Sequence, residues 1–410
     1  MVVESLDEDS FTAHPRRRRR RGQNAFVPLL VMVLAVAGVL IVEPRIKPLQ
    51  ELLGRCQVKS AAVAVPSSGV LFGVNLDWNS ESLAEHRANM GHRPAVAVQF
   101  SDIPYDRPTW EHAKSAVAQI KENGGVMVLT LEPHGGLDAI SPEVIRTLAY
   151  DLLDLNNQGV PVIVRFAHEM NGSWYAWGQQ PAHYKDVFQK VAKAVHETAP
   201  GSAMMWAPNY GGGYPFSGGQ FVATPGTSEF DTLDTDRDGI LTMNDDSYQP
   251  YYPGDEYVDW VGISLYHWGN QRPWGNNEVT EPNKFSDMLT GNYNGTAGGD
   301  LGVPDFYDIY GVQHQRPVAI VETAAIFTPS RTGQSELAVK QAWWRQVFSD
   351  ETHQRFSQLK MINWFEWKKY EIEINDWVDW RAAGAGAIRE AFISDLPNWL
   401  AYADDLDVCS

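Results

Sequence analysis

Val162-Ile-Val-Arg-Phe-Ala-His-Glu-Met-Asn-Gly-Ser-Trp174 opens as a β-branched apolar run and ends abruptly in polar and aromatic residues. A run of that kind suits a strand buried on both faces of a parallel sheet. The break then sets His168, Glu169, Asn171 and Trp174 just past the strand's C-terminal end. Alternation along the strand puts Arg165, Ala167 and Glu169 on one face and Phe166 and His168 on the other, so Glu169 is expected to point with Arg165 into whatever the strand encloses. Taken by itself, the segment also reads as a strand-end salt bridge between Arg165 and Glu169.

Similar short apolar runs recur on both sides of it. Leu71–Trp78, Ala95–Asp102 and Val126–Glu132 precede the strand Pro161–Ala167; Ala203–Pro208, Val258–Tyr266, Val318–Val321 and Met361–Phe365 follow it. Segments of helical character separate them, around Ser80–Met90, Thr109–Asn123, Pro142–Asn157, Ala182–Thr198, Ser335–Leu359 and Ala387–Tyr402. The rhythm breaks after Asn209, where residues 210–256 hold glycines, a polar loop and an aspartate cluster, and so read as an insertion. Eight strands alternating with helices, and no Gly-x-Gly-x-x-Gly after the first, predict an α/β fold of the (β/α)8 barrel type rather than a doubly wound sheet. Chemistry in such barrels sits at the strand C-terminal ends. Those ends carry Asp77, Asp102, Glu132, His134, His168, Glu169, Asn209, Tyr266, His267, Glu322, Trp364, Glu366 and Trp367.

The first 69 residues differ in kind. Six arginines, Arg16 to Arg21, precede residues 26–42, an apolar run without a charged residue. That organisation predicts a cytoplasmic basic tail over 1–25, a transmembrane signal anchor over 26–42, a stem over 43–69 and the barrel over 70–410. The expected localisation is a single-pass type II membrane protein with its barrel extracellular or lumenal, or a secreted one if the segment is cleaved as a signal peptide. The chain has a net charge of −18, and residues 1–42 contribute +2, which leaves −20 on the remainder. So acidic a domain is ill suited to nucleic acid, and a neutral glycan is the better partner. The two cysteines, Cys56 and Cys409, flank the barrel and are expected to pair in an oxidising compartment, because closing a barrel brings its first and last elements together.

Retaining cleavage of a glycosidic bond needs two carboxyl groups roughly 5–5.5 Å apart, and strands four and seven face each other across an eight-stranded barrel. His168-Glu-Met-Asn-Gly-Ser-Trp174 and Ile320-Val-Glu322-Thr323, with Tyr252-Pro-Gly254 before Val258-Asp-Trp-Val-Gly262, resemble glycoside hydrolase family 26, which consists mainly of β-mannanases. The resemblance implies Glu169 as acid/base and Glu322 as nucleophile. It implies that His134 and His168 line the subsite of the cleaved sugar, with Trp174 as aromatic wall and Tyr266 as the phenol holding the nucleophile. The strand-eight tryptophan is Trp364 or Trp367, and Asn209 joins the expected substrate-binding set. No cofactor is expected for catalysis. Ala324-Ala325 departs from the residues commoner after the nucleophile, so the substrate stays open among β-1,4-mannan, β-1,3-xylan and mixed-linkage β-glucan. Glu132, Asp77 and Glu366 compete for the two carboxyl roles.

A second motif, Asp234-Thr-Asp-Arg-Asp-Gly-Ile-Leu-Thr-Met-Asn-Asp245, places oxygen ligands at Asp234, Asp236, Asp238, Ile240, Thr242 and Asp245 with glycine at position six. That is the spacing of an EF-hand-type loop, and it predicts a structural calcium. Two other functional classes are weighed: a catalytically silent glycan-binding barrel, and a metal-dependent hydrolase using His134, His168 and His267, for which no His-x-His or His-Glu-x-x-His spacing is present.

Overall fold

In a computed structural model, residues 56–295, 300–384 and 386–409 are described. Eight parallel strands run β1 Val70–Leu76, β2 Val96–Asp102, β3 Val126–Glu132, β4 Val162–Phe166, β5 Ser202–Trp206, β6 Trp260–Ser264, β7 Val318–Thr323 and β8 Leu359–Glu366. Each pairs with the next, and β8 returns to β1 in register from Leu71↔Met361 to Leu76↔Glu366, which closes the barrel. The (β/α)8 expectation holds, insertion included.

The helices between strands start where the sequence supplies caps. Ser82, Asp106, Ser141 and Ser335 each accept a backbone N–H from the first turn of the helix that follows. Gly124, at φ 84°, ends Arg107–Asn123 in the left-handed conformation that glycine adopts without a steric penalty. Two apolar layers result. Val98, Val128, Ile163, Met205, Val321 and Met361 fill the barrel interior, while Phe188, Trp344, Phe348, Trp364 and Phe392 pack between barrel and helices.

Several expectations change. The helix foreseen over Ser335–Leu359 is two helices, Glu336–Val347 and Asp350–Arg355, because Ser349 caps the second through Thr352. The last helix is Gly386–Asp395, and the strand Leu400–Ala401 beyond it pairs with β1. A β-hairpin that the sequence reading did not foresee, Lys368–Glu371 with Asp376–Asp379, follows β8 immediately. The part of the expected stem that is described packs across the barrel's N-terminal end: Val58 N–H donates to Asn156 O at 2.9 Å, Ala61 N–H to Pro200 O at 2.7 Å, and Ala64 joins the interior layer. The expected span, 26–42, lies outside the described residues. Among the described residues no helix is long and apolar enough to cross a membrane, and that finding overturns the single-pass localisation.

Cys56 and Cys409 form a disulfide with 5.1 Å between their Cα atoms, joining residues 353 positions apart. In the chain-entropy picture so long a loop is worth on the order of 5 kcal/mol. A Cys56→Ser/Cys409→Ser protein should therefore melt several degrees below the parent in calorimetry, and the unreduced parent should show no alkylatable thiol.

Candidate active site

The strand that opens the sequence reading stops at Phe166, sooner than its apolar pattern implies. Ala167 and Glu169 then take φ values of 47° and 53°, left-handed backbone that costs a non-glycine residue roughly 1–3 kcal/mol. Two ladder-like hydrogen bonds hold the turn: Ala167 N–H to Leu131 O at 2.9 Å and Glu169 N–H to Ala207 O at 2.8 Å. Simple alternation does not apply to this turn; the turn itself aims Glu169 at the barrel mouth.

Arg165 points into the barrel as alternation requires, is fully buried, and does not pair with Glu169. One guanidinium nitrogen donates to Glu322 Oε1, and Nη2 donates to Ser264 Oγ at 3.0 Å. Tyr266 Oη donates to the other oxygen, Glu322 Oε2, at 2.7 Å. Glu322, 7% exposed, is thus gripped at both oxygens by groups from β4 and the end of β6. On the facing side Trp174 Nε1 donates to Glu169 Oε2 at 3.2 Å. Gly172 makes that contact possible, since a Cβ there would lie 2.3 Å from the Trp174 ring.

The electrostatics separate the two glutamates. Burial, and then the negative charge of Glu322, push the Glu169 carboxyl from its ordinary 4.5 to about 7, against the opposing pull of Arg165, Ser264 and Trp174. A carboxyl so raised holds its proton near neutrality beside a partner anchored by a guanidinium and a phenol. Burial also raises the Tyr266 phenol well above its usual range, so it stays a donor.

The remaining expected residues divide. His168, buried, packs edge-on against Phe100 and beside Tyr175 and Trp177, and burial depresses its basicity. His134 lies half-exposed at the mouth, 3.6 Å from Asp102 and 3.8 Å from Glu132. Asn209 is engaged through its backbone, in reciprocal hydrogen bonds with the side chain of buried Asn171. Trp367 is half-buried near the mouth and donates to Asn75 Oδ1 at 3.2 Å. Trp364 needs correction: it points outward from β8 into the helix layer, fully buried against Trp344, Phe348 and Phe392, and is core. Its parity with the inward-facing Met361 and Asn363 could have told this from the sequence.

The competing carboxylates also find places. Glu366 is buried and accepts the N–H groups of Ala382 and Ala383; burial raises it to about 7. Glu132, raised to about 7 by burial, sits within electrostatic reach of Arg165 and both glutamates. Asp77 caps its own turn through Asn79 N–H. His267, one of three histidines weighed for a metal, bonds Glu278 O at 2.8 Å and stacks on Trp343, away from that role. The sequence reading missed Ser264 as a partner of Arg165 and Trp380 as the ring behind Tyr266, 5.2 Å away. In the insertion, carboxylate oxygens of Asp234, Asp236 and Asp245 lie within 4.8 Å of one another. Asp238 stands outside that group, its Oδ1 accepting Ile240 N–H, and Thr242 donates its N–H to Asp245 Oδ2.

Residues 89–236, which include the turn bearing Glu169, match the sequence profile of glycosyl hydrolase family 26. The matched segment makes up 148 of the chain's 410 residues. A mannan endo-1,4-β-mannosidase of Bacillus subtilis is 27% identical over 150 residues, 34% of this chain and 33% of the relative. The chain thus spans about a third of the length of the curated relatives it matches. The barrel is shared with the GH26C structure from a Muricauda species, with a TM-score of 0.54 at 15% identity, covering 85% of this chain and 90% of that one. It is shared likewise with a modular endo-β-1,4-mannanase of Cellulomonas fimi, with a TM-score of 0.53 at 14% identity, covering 87% and 78%. Glu322 lies outside the matched segment; it joins Glu169 through the fold.

Three buried or half-buried carboxyls raised to about 7 make stability depend on pH. Between the ordinary carboxyl value of 4.5 and about 7 these three groups bind more protons in the folded chain than in the unfolded one, so their contribution to stability falls as pH rises through that window. Buried His86, His168 and His267, whose basicity burial depresses, act in the opposite sense below 6.5, so the test is a difference: the melting temperature of the parent minus that of Glu366→Gln should grow as pH is lowered from 8 toward 5, and a constant difference would show that Glu366 carries none of the dependence.

Proposed function

We propose that this chain is a retaining β-glycan hydrolase acting on β-1,4-mannan-type polysaccharide. The observation that carries the reading is the pairing of Glu322, anchored by Arg165 and Tyr266, with Glu169, raised to about 7 beside it. In the first step Glu169 gives its proton to the glycosidic oxygen. The Glu322 carboxylate bonds the anomeric carbon as the leaving sugar departs with the electron pair. In the second, Glu169, now a carboxylate, takes a proton from water; the hydroxyl attacks the anomeric carbon and Glu322 is released. Trp174, 38% exposed, offers a flat apolar ring beside Glu169 for the sugar face. The substrate class leans on the mannan endo-1,4-β-mannosidase relatives, and screening β-mannan, β-1,3-xylan and mixed-linkage glucan decides it.

Glu169→Ala should slow mannan hydrolysis roughly 10²–10⁴-fold, while glycosides with good leaving groups still form the intermediate. Azide, which needs no general base, should then restore turnover as a β-azide product. Glu322→Ala should lose activity on every substrate. Substantial activity in Glu322→Ala, or a first product of inverted configuration, sinks the mechanism.

The insertion loop supports a second, structural proposal. Asp234, Asp236 and Asp245 are close enough to share one calcium, with Asp238, the Ile240 carbonyl and Thr242 completing the loop's spacing. Calcium binding only the folded loop would raise the melting temperature. Identical melting curves in chelator and in excess calcium would leave an acidic loop and nothing more.

A further inference from the structure

Ser264 is buried at the end of β6, and the double displacement as written makes no use of it. Its backbone ties it to both glutamates. In the strand register it is the partner of Glu322, and Leu265 N–H, one residue on, donates to Glu322 O at 2.9 Å. Toward β5 it hangs on the same segment as the Glu169 turn: Ser264 N–H donates to Pro208 O at 3.4 Å, and Glu169 N–H donates to Ala207 O at 2.8 Å. Tyr210 N–H returns to Ser264 O at 3.3 Å. Two consecutive carbonyls past the end of β5 therefore hold Ser264 on one side and Glu169 on the other.

A serine hydroxyl accepts and donates at once. Arg165 Nη2–H fills the accepting side at 3.0 Å, so the hydroxyl proton turns away from the guanidinium. Glu322 already carries a donor on each oxygen, Arg165 on Oε1 and Tyr266 on Oε2, while Trp174 meets Oε2 of Glu169. Hydrogen bonding from Ser264 is among the influences that oppose the effect of burial on Glu169.

We propose that Ser264 is a positioning residue through which one guanidinium serves both carboxyls: Arg165 holds Glu322 directly and holds Glu169 through the Ser264 hydroxyl, whose proton is given to the Glu169 carboxylate. The bridge favours the ionised form that Glu169 takes once its proton has gone to the leaving sugar, and so prepares the base of the second step. Other groups act on Glu169 from the elements around it: Glu322 from β7, Glu132 from β3, Arg165 from β4, and the phenols of Tyr175 and Tyr266. A change at 264 removes none of them, so the difference between parent and variant reports the hydroxyl. The inference rests on the hydrolase reading for its role in turnover, but the ionisation of Glu169 can be followed without substrate.

In protein carrying isotope-labelled glutamate carboxyls, with the Glu169 NMR signal assigned by its loss in Glu169→Gln, Ser264→Ala should raise the titration midpoint of Glu169 by about one pH unit. Ser264→Cys, whose thiol is a weaker donor, should raise it less. On whichever of β-mannan, β-1,3-xylan or mixed-linkage glucan the parent cleaves, the ratio of kcat/KM in Ser264→Ala to that in the parent should climb up to roughly tenfold from pH 6 to 9, because the variant keeps its acid protonated at higher pH. A serine that only satisfies Arg165 would lower kcat/KM by one factor at every pH and leave the midpoint unmoved. An unmoved or lowered midpoint overturns the bridge. If Ser264→Ala does not fold, Ser264→Cys is read in its place by the same criterion. A wild type that cleaves none of the three glycans removes the hydrolase reading, and the midpoints still judge the bridge.

Discussion

A single buried cation organises the centre of this barrel. Arg165 has no exposed surface, and its guanidinium stands between Glu322 on β7 and Ser264 on β6 while projecting from β4. A buried guanidinium without a carboxylate would be strongly unfavourable, so Arg165 and Glu322 each make the other's position tolerable. Removing either leaves the other uncompensated. The pair also ties three strands together across the interior, and the geometry of the mouth is therefore inherited from the closed barrel.

That arrangement sorts the carboxyl groups around it. Glu322 takes the guanidinium and a phenol, whereas Glu169 receives an indole N–H and sits in the field of Glu322. The two glutamates thereby meet different environments although both end strands of the same barrel. Distinct environments for two neighbouring carboxyls are what separate proton donor from nucleophile in a double displacement.

Much of this was legible in the chain. The eight apolar runs and the Cys56–Cys409 pair read correctly because they depend on local pattern or on barrel closure, whereas the weight given to Glu169, Glu322 and Tyr266 came from the resemblance of their segments to a known family. Other features depended on contacts that no local pattern encodes. Arg165 faces inward as alternation requires, yet it chooses a partner 157 residues away over one four residues away. Ala167 and Glu169 adopt positive φ, which is rare outside glycine and carries no compositional mark. Trp364 was misplaced because proximity to a strand end was weighed above the parity of its own strand. The hairpin Lys368–Asp379 escapes a reading of the sequence because its strands are short and two of their three buried residues, Glu371 and Asp379, are charged, with Val378 the one apolar residue among them.

The link between Cys56 and Cys409 changes what a cut in the chain would do. It fastens the segment lying across the barrel floor to the tail that follows Leu400–Ala401 on β1, so the barrel is covalently a ring. Protease nicking of one exposed loop, such as the insertion at 210–256, opens that ring without making two pieces. The nicked protein would travel as a single chain on a non-reducing gel and separate into fragments only after reduction. Its active-site strands would stay tethered at an effective concentration far above that of free fragments.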